Sequence, residues 1–301
     1  ESSDSRFKGR LLIASTDRIG TNADRLLNRH KVVRYLLNDF HNSPIIFPNH
    51  INELSIGKRK KKKDPLPHQK EAINAVCEGL KTSNRGQVLM ACGTGKTLTS
   101  LWIKEKIDAK EVLILLPSLS LLSQTLKEWN ANASIPFKWI CVCSDKSVAT
   151  KDEIEDDWVT NTSEIGAPVT NEIQVINNFL DQKGSKVIFS TYQSSHLIAH
   201  AQKENKKHNF DIVFADEAHR CAGTVSEAFG CVLDNKKIKA NKRLFLTATP
   251  KVFTNQTKGQ AKSRDIELIS MDDRSFFGDI LYNLKFSDAI NNKPALLTDY
   301  K

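Results

Sequence analysis

The sequence predicts an α/β protein whose main domain is a parallel sheet with helices on both faces. Short, almost fully apolar runs recur from residue 88 onward, and segments of helical length separate several of them. A strand that is apolar at nearly every residue is buried on both faces, and crossover helices then cover each side of a parallel sheet. We assign the predicted strands to residues 88–90, 112–116, 139–143, 187–189, 212–215 and 243–246.

A smaller α/β segment precedes this domain. Within residues 1–57, apolar runs alternate with polar turns, which predicts a strand at 11–14, a helix from Ala23 to Leu37 and a short strand at 45–47. Six consecutive cations, Lys58 to Lys63, then precede a turn signal at Asp64-Pro65. We interpret 58–65 as a solvated linker, although such a run could also touch phosphates or act as an import signal. The main domain then covers 66–301.

One further stretch departs from the strand-and-helix alternation. Residues 145–172 include an acidic run and show no clear periodicity, so we expect an excursion or insertion there. The six cysteines form no CxxC pair and no zinc-like spacing, which favours buried free thiols in a reducing cytoplasm. No stretch approaches the roughly 18 consecutive apolar residues of a membrane span, so we expect no membrane partner.

The excess of cations suits a polyanionic partner. The chain has 44 lysines and arginines against 35 aspartates and glutamates, a net charge of +9. Binding to nucleic acid is driven by this kind of excess because neutralised phosphates release counterions. The excess alone does not identify a nucleic-acid-binding protein.

A phosphate-binding loop is predicted between an apolar strand and a helix. Met90-Ala-Cys-Gly-Thr-Gly-Lys-Thr97 follows the strand at 88–90 and opens a helix. Gly93, Thr94 and Gly95 would turn backbone N–H groups toward phosphates, while Lys96 would carry charge to the β/γ position. The Thr97 hydroxyl could ligate Mg²⁺. The strict pattern starts with glycine where this chain has Met90, and a chance match in a surface loop is the alternative.

Two adjacent carboxylates end a later apolar strand. In Ile212-Val-Phe-Ala-Asp-Glu-Ala-His219, Asp216 could hold Mg²⁺ and Glu217 could polarise an attacking water as a general base. A strand-end pair that only caps the next helix is the alternative. Together with the phosphate-binding loop, this motif predicts a site that binds and hydrolyses ATP with Mg²⁺.

In their order, the motifs resemble those of superfamily 2 helicases. Leu66-Pro-His-Gln69 resembles the adenine-reading Q-motif, which implies nucleotide contact by Gln69. Asp216-Glu-Ala-His219 resembles a DEAH box, which implies a catalytic His219, and Thr247-Ala-Thr249 resembles motif III, which implies that Thr247 and Thr249 couple hydrolysis to movement. The resemblance implies a RecA-like P-loop NTPase domain. Two more segments resemble backbone-gripping motifs and imply DNA contact by Ser118, Leu119, Gln124, Thr191, Tyr192 and Gln193.

Finer features resemble the motors of restriction enzymes. Arg220 after the DEAH box, Leu246-Thr-Ala-Thr-Pro250, and Pro117 to Thr125 are similar to the single-polypeptide restriction class over about residues 64–301. Residues 7–17 with Asn22-Ala23 resemble the closing strand and helix of an Mrr-type nuclease. This resemblance implies double-stranded DNA as partner, with methyltransferase or specificity modules in the same polypeptide or complex.

The resemblance also implies what such a motor needs beyond this sequence. Residues 1–57 contain no Glu-x-Lys or Asp-x-Lys metal motif, and no motif V or VI follows Thr249. We therefore expect a fragment whose second RecA-like domain is absent and which hydrolyses ATP weakly. A DEAH-type RNA helicase and a nucleotide-dependent clamp or scaffold remain as alternatives, and the restriction-class resemblance implies a prokaryotic cytoplasm.

Overall fold

An eight-stranded sheet lies at the centre of the protein. The structure is a computed structural model, and it describes residues 10–20, 22–23, 26–27, 32–41, 43–48, 50, 52, 58–143, 169–206, 208–224, 227–264, 268–291 and 296. The strands of these residues are β1 Leu11–Ile13, β2 Val33–Tyr35, β3 Ile45–Ile46, β4 Lys58–Arg59, β5 Arg85–Met90, β6 Glu111–Leu116, β7 Lys138–Val142, β8 Val169–Thr170, β9 Lys186–Thr191, β10 Phe210–Ala215, β11 Gly223–Thr224, β12 Ala240–Thr247, β13 Leu268–Ile269 and β14 Asp279–Leu284. The α-helices are α1 Leu37–His41, α2 Pro67–Thr82, α3 Lys96–Lys106, α4 Leu119–Asn132, α5 Ile173–Leu180, α6 Ser195–Glu204, α7 Glu227–Gly230, α8 Asn255–Ser263, α9 Arg274–Phe277 and α10 Phe286–Asn291.

The central sheet is parallel throughout its described strands. Its order is β14-β5-β12-β10-β6-β9-β7-β8, and each neighbouring pair runs in the same direction. The middle strand β10 pairs Val213 with Leu113 of β6 on one side and with Arg243 of β12 on the other. The predicted α/β class with a parallel sheet is therefore confirmed.

Alternate residues of the interior strands pack into two separate hydrophobic layers. In β6, Val112, Ile114 and Leu116 pack on one face, and Leu113 and Leu115 pack on the other. Helices α2, α3 and α4 cover the first face, and α5 and α6 cover the second. Because both faces are covered, every residue of a central strand can be apolar, which is why the sequence shows continuous runs rather than alternation.

The segment before the main domain contains one element that the sequence analysis assigned incorrectly. The predicted helix from Ala23 to Leu37 is wrong at its end, because Val33–Tyr35 is a strand that pairs in parallel with β1. Residues 22–23 and 26–27 are helical, and the rest of the range up to 31 lies outside the described residues. β-branched Val32 and Val33 favour the extended conformation, and Arg34 between its neighbours is buried. Ile45–Ile46 forms the predicted short strand and pairs with β4.

Two strands of the sheet were not predicted. The short β8 extends the sheet beyond β7 inside the region expected to be an excursion, of which residues 144–168 lie outside the described residues. The edge strand β14 pairs with β5 in a register that shifts between Ile280 and Tyr282. Its outward-facing Ile280 is 53% exposed, so its sequence lacks the continuous apolar run of a central strand.

Four of the six cysteines are buried, as predicted, and all six are free thiols. Cys141, Cys143, Cys221 and Cys231 are buried, but Cys92 in the predicted phosphate-binding loop is exposed, which corrects the expectation for that residue. No group of three or more possible metal ligands among histidines, cysteines and carboxylates occurs in the described residues. Among these residues, no helix is long and apolar enough to cross a membrane.

Candidate functional site

Five predicted motifs lie where strands of the central sheet end. The phosphate-binding loop follows β5, Ser118 follows β6, Thr191 ends β9, Asp216 follows β10 and Thr247 ends β12. Because these strands are parallel neighbours, their carboxyl ends meet at one edge of the sheet. Ligands of open α/β sheets bind at that edge.

Two glycines with positive φ shape the loop after β5. Gly93 has φ of 79° and Gly95 has φ of 87°, which is the left-handed region that favours glycine. Gly95 is also the N-cap of α3, which begins at Lys96 and has no acidic residue in its first turn. A side chain at Gly95 would collide with the amide of Gln69. The loop therefore presents a helix N-terminus and its N–H groups with no acidic residue in the first turn of the helix, an arrangement that binds phosphate.

The start of α2 holds this loop from the other side. Gln69 donates from Nε2 to the Thr94 carbonyl at 3.1 Å and accepts the Leu66 N–H at 2.9 Å. The neighbouring His68 is buried, and its Nε2 lies 3.0 Å from the same Thr94 carbonyl. Our sequence analysis missed His68, whose position directly before Gln69 was the available signal. Both side chains fix the backbone at the centre of the loop.

A chain of polar contacts joins the loop to the ends of β10 and β12. Lys96 Nζ lies 3.7 Å from Glu217 Oε1 and donates to the Met90 carbonyl at 3.4 Å. Glu217 Oε2 lies 3.4 Å from His219 Nδ1, which is 3.0 Å from the Thr247 hydroxyl. Thr249 donates its N–H to that hydroxyl at 3.2 Å. The structure thus brings together the predicted Lys96, Glu217, His219, Thr247 and Thr249.

The two adjacent carboxylates differ in environment. Burial raises the pKa of Asp216 to about 6, and the neighbouring charge of Glu217 adds to this rise. Burial also acts to raise the pKa of Glu217, but the hydrogen bond with His219 and the charge of Lys96 outweigh it, so that pKa is lowered. Glu217 has φ of 47° and ψ of 47°, a conformation that non-glycine residues seldom adopt and that occurs at functional sites.

These residues are chemically suited to hold a nucleotide with a divalent cation. Lys96 supplies positive charge, and Asp216 and Thr97 supply the oxygen ligands that Mg²⁺ prefers. Thr97 also accepts a hydrogen bond at its carbonyl, 3.0 Å from the indole nitrogen of buried Trp129 in α4. This contact connects the loop helix to the helix that follows β6.

Only some of the residues predicted to contact nucleic acid after β6 have side chains at the surface. Gln124 is exposed, and Ser118 caps α4 by accepting the Leu121 N–H at 3.3 Å. The Leu119 side chain is buried in the core, which leaves its backbone rather than its side chain for such a contact.

The prediction that the Thr191 and Tyr192 side chains contact nucleic acid at the end of β9 does not fit their positions in the structure. Thr191 and Tyr192 are buried, so their side chains face the interior in this conformation rather than a ligand. The Tyr192 hydroxyl donates to the Asp216 carbonyl at 2.7 Å, and its ring packs 4.9 Å from the ring of Phe229. Tyr192 therefore holds the backbone at Asp216 through this hydrogen bond. Gln193, the next residue along the chain, is half-buried.

The chain matches one family and several known proteins. The family described as "Type III restriction enzyme, res subunit" (ResIII) matches residues 62–252. "Probable helicase A859L" of African swine fever virus (isolate Pig/Kenya/KEN-50/1950) is 30% identical over 224 residues, covering 74% of this chain and 22% of the viral protein. The chain thus spans about a fifth of that relative.

Two solved structures also resemble the chain. The "ATP-dependent Type ISP restriction-modification enzyme LlaBIII bound to DNA" superposes with a TM-score of 0.79 and 31% identity, covering 99% of this chain and 20% of that one. A nuclease-deletion mutant of the Type ISP enzyme LlaGI, in complex with a DNA substrate mimic, gives a TM-score of 0.57 at 33% identity. That match covers 77% of this chain and 20% of LlaGI.

Proposed function

Since the chain belongs to the family of the type III restriction enzyme res subunit, we propose that it is the ATP-binding first motor domain of a DNA translocase in a restriction or phage-defence enzyme. The observation that carries the proposal is the contact chain from Lys96 through Glu217 and His219 to Thr247 at the edge of the sheet. It supports the proposal because Lys96, Glu217 and Thr247, to which we assign phosphate binding, water activation and coupling, lie along one series of contacts.

Each residue of the site takes a role in this proposal. Gly93, Thr94 and Gly95 cradle the phosphates of ATP with their backbone, and Lys96 binds the β/γ-phosphates. Thr97 and Asp216 hold Mg²⁺, which neutralises charge on the transferring phosphoryl group. Glu217 orients and polarises the attacking water, and its lowered pKa keeps it ionised and able to accept a proton at neutral pH.

Gln69 has the chemistry to read adenine while it holds the loop. Its amide uses one acceptor position for the Leu66 N–H and one donor for the Thr94 carbonyl. A primary amide has two donors and two acceptor lone pairs, so one of each is left. Adenine presents a matching acceptor at N7 and donor at N6.

The wider organisation is also part of the proposal. We assign residues 1–57 to the end of an Mrr-like nuclease-type domain, 58–65 to a basic connection and 66–301 to the first RecA-like domain with a DEAH-type motif II. A second RecA-like domain closes over the nucleotide and speeds hydrolysis, and methyltransferase or specificity modules act in the same enzyme, in a prokaryotic cytoplasm. The similarity to two restriction-modification enzymes, one described as bound to DNA, supports this assignment.

Duplex DNA is the polymer we assign to the motor, and the net charge of +9 supports a polyanion. The test is the ATPase rate of the longer enzyme that contains this chain, with random-sequence duplex DNA or with single-stranded RNA. We expect duplex DNA to stimulate hydrolysis and RNA to leave it near the basal rate. Stimulation by RNA alone would favour the DEAH-type RNA helicase, and no hydrolysis with either polymer would favour a nucleotide-dependent clamp.

A further inference from the structure

A groove lies beside α4, and none of the residues of the candidate nucleotide site lines it. It has a volume of about 520 Å³ and runs between the lysine run and the exposed face of the helix. We use the name basic groove for the space lined by Lys60, Lys61, Lys63, Ser120, Gln124 and Lys127.

The lysine run lies against α4 through specific contacts, although all of its cations except Lys62 are exposed. The Lys63 N–H donates to the Asn132 side chain at 2.9 Å, and Lys63 Nζ lies 3.1 Å from Glu128. Lys62 Nζ donates to the Ala133 carbonyl, and the Arg59 guanidinium donates to the Asn130 carbonyl. Cations at carbonyls that end a helix are stabilised by the helix dipole. The run therefore forms a defined wall of the groove.

The groove keeps a positive charge after its internal pairs are counted. Four lysines line it against one carboxylate, Glu128. Lys60 donates to the His41 carbonyl, which carries no compensating charge. Lys61 is 89% exposed and lies 3.3 Å from Asp64, a solvent-exposed pair of little energetic worth. Lys127 pairs with Asp39 and remains half exposed.

The opposite wall offers neutral donors on one face of the helix. Ser120 and Gln124 are one helical turn apart, and Lys127 follows at the next turn. Hydroxyl and amide groups bind phosphate and sugar oxygens without reading base sequence. A positive track lined with such donors suits the backbone of a nucleic acid and would suit few small molecules.

We propose that the basic groove binds the phosphate backbone of duplex DNA and extends the DNA path from Ser118 along α4 to the lysine run. This inference rests on the proposed motor function and adds the lysine run and Lys127 to the DNA contacts expected at Ser118 and Gln124. The same helix reaches the nucleotide site, because the Trp129 indole donates to the Thr97 carbonyl. DNA held in the groove thus contacts the helix that supports the P-loop helix.

The experiment measures binding of the full chain to a fluorescent random-sequence duplex by anisotropy at several salt concentrations. Lys60→Gln with Lys61→Gln removes two exposed charges from one wall. Lys236→Gln with Lys237→Gln is the matched control, because these adjacent lysines are exposed in the loop before β12 and do not line the groove. We expect the groove variant to lose about tenfold in affinity near 0.1 M salt and about two units of salt slope. The control should stay within about twofold of the unchanged chain.

The second wall is tested by one isosteric change. Gln124→Glu places a carboxylate in the groove, and Gln174→Glu makes the same change at an exposed position of α5 on the other face of the sheet. We expect only Gln124→Glu to weaken duplex binding, and equally for two unrelated DNA sequences.

Equal losses in groove variants and controls would overturn the inference, because only total charge would then matter. No loss in the groove variants would also overturn it and would point to another occupant, such as an acidic protein segment. If the unchanged chain bound no duplex at all, the proposed motor function would fail first, so the two failures are distinguishable.

Discussion

At the scale of single residues, the carboxyl groups of Asp216 and Glu217 acquire different properties although they are adjacent. The chain leaves β10 at Ala215 and turns through the left-handed conformation of Glu217. Asp216 stays buried, and its carbonyl accepts the Tyr192 hydroxyl, whereas Glu217 turns toward Lys96 and His219. Strain in the backbone and two polar partners thus separate a candidate metal ligand from a candidate base.

Replacing Glu217 by Gln tests the role of the candidate base. The substitution keeps shape and hydrogen bonding but removes proton acceptance, so we expect DNA-stimulated hydrolysis by the longer enzyme to fall roughly 10²–10⁴-fold while ATP still binds. The matched control is Glu204→Gln, an exposed carboxylate at the end of α6. Rates from steady-state ATPase assays and affinities from calorimetry decide the outcome. An unchanged rate for Glu217→Gln would mean that another group activates the water.

Replacing Asp216 by Asn tests the burial of that carboxylate through stability. Its folded-state pKa of about 6 lies above the ordinary value of 3.8, so ionisation at neutral pH opposes folding. This contribution favours folding at low pH and is lost as the pH rises through about 6. We expect Asp216→Asn to be more stable at pH 8, without metal or nucleotide, by on the order of 1–3 kcal/mol. The difference should shrink toward zero near pH 4 in urea unfolding, and a difference that does not vary with pH would contradict this prediction.

At the scale of secondary-structure elements, the edge strand β14 joins the sheet through close contacts at glycines. Gly79 of α2 and Gly86 of β5 both contact the Leu281 side chain so closely that an added methyl group would displace it. Gly278, just before β14, has φ of 73°, and a Cβ there would collide with the carbonyl of Arg85. The approach of β14 to β5 therefore depends on the absence of side chains at these positions.

Gly278→Ala should destabilise the fold more than the same change at another glycine that has positive φ but free space around its Cβ position. Gly184 provides that comparison, because its φ is 97° and no atom lies within 4 Å of the Cβ position. We expect Gly184→Ala to cost about 1 kcal/mol and Gly278→Ala about 2 kcal/mol more, since the second also displaces backbone. Free energies of unfolding from urea titrations measure both. Equal costs would mean that β14 moves away without penalty.

The sequence predicted the central elements well and the peripheral ones poorly, for a physical reason. Strands such as β6 and β10 are buried on both faces, so all their residues except Glu111 and Asp211 are apolar and buried. The strands β2, β8 and β14 are short or lie at edges, and their pairing depends on partners far along the chain. Local periodicity contains no information about such partners.

The candidate site shows the same division. The residues of the two strand-end motifs were sufficient to select Lys96 and Glu217, and the resemblance to superfamily 2 helicases selected His219 and Thr247. The fold brings all four together. The sequence could not show that the Tyr192 side chain is buried and donates to the Asp216 carbonyl, because strand-end motifs do not reveal the direction of a side chain. Nor could composition show that the lysine run lies against α4.

At the scale of the whole molecule, the parallel order of the sheet collects five motifs from distant parts of the chain at one edge. The chain carries a helicase-like ResIII domain over residues 62–252. The same helix α4 contacts both the P-loop helix, through Trp129, and the lysine run, through Asn132. These contacts support the proposed motor function, in which hydrolysis at the candidate nucleotide site is coupled to movement along DNA.

Binding of Mg²⁺-ATP to the chain with Lys96→Ala, measured by calorimetry, tests the central claim most directly. Lys96 is half-buried at the start of α3, whereas Lys106→Ala, an exposed position at the other end of the same helix, serves as the control. Loss of a charge-assisted phosphate contact should abolish detectable binding in Lys96→Ala, and the control should bind within about twofold of the unchanged chain. Both variants should keep the thermal unfolding midpoint of the unchanged chain to within a few degrees, because neither side chain belongs to the hydrophobic core. Lys96→Ala that bound Mg²⁺-ATP as tightly as the unchanged chain would contradict the assignment of this loop as the nucleotide site.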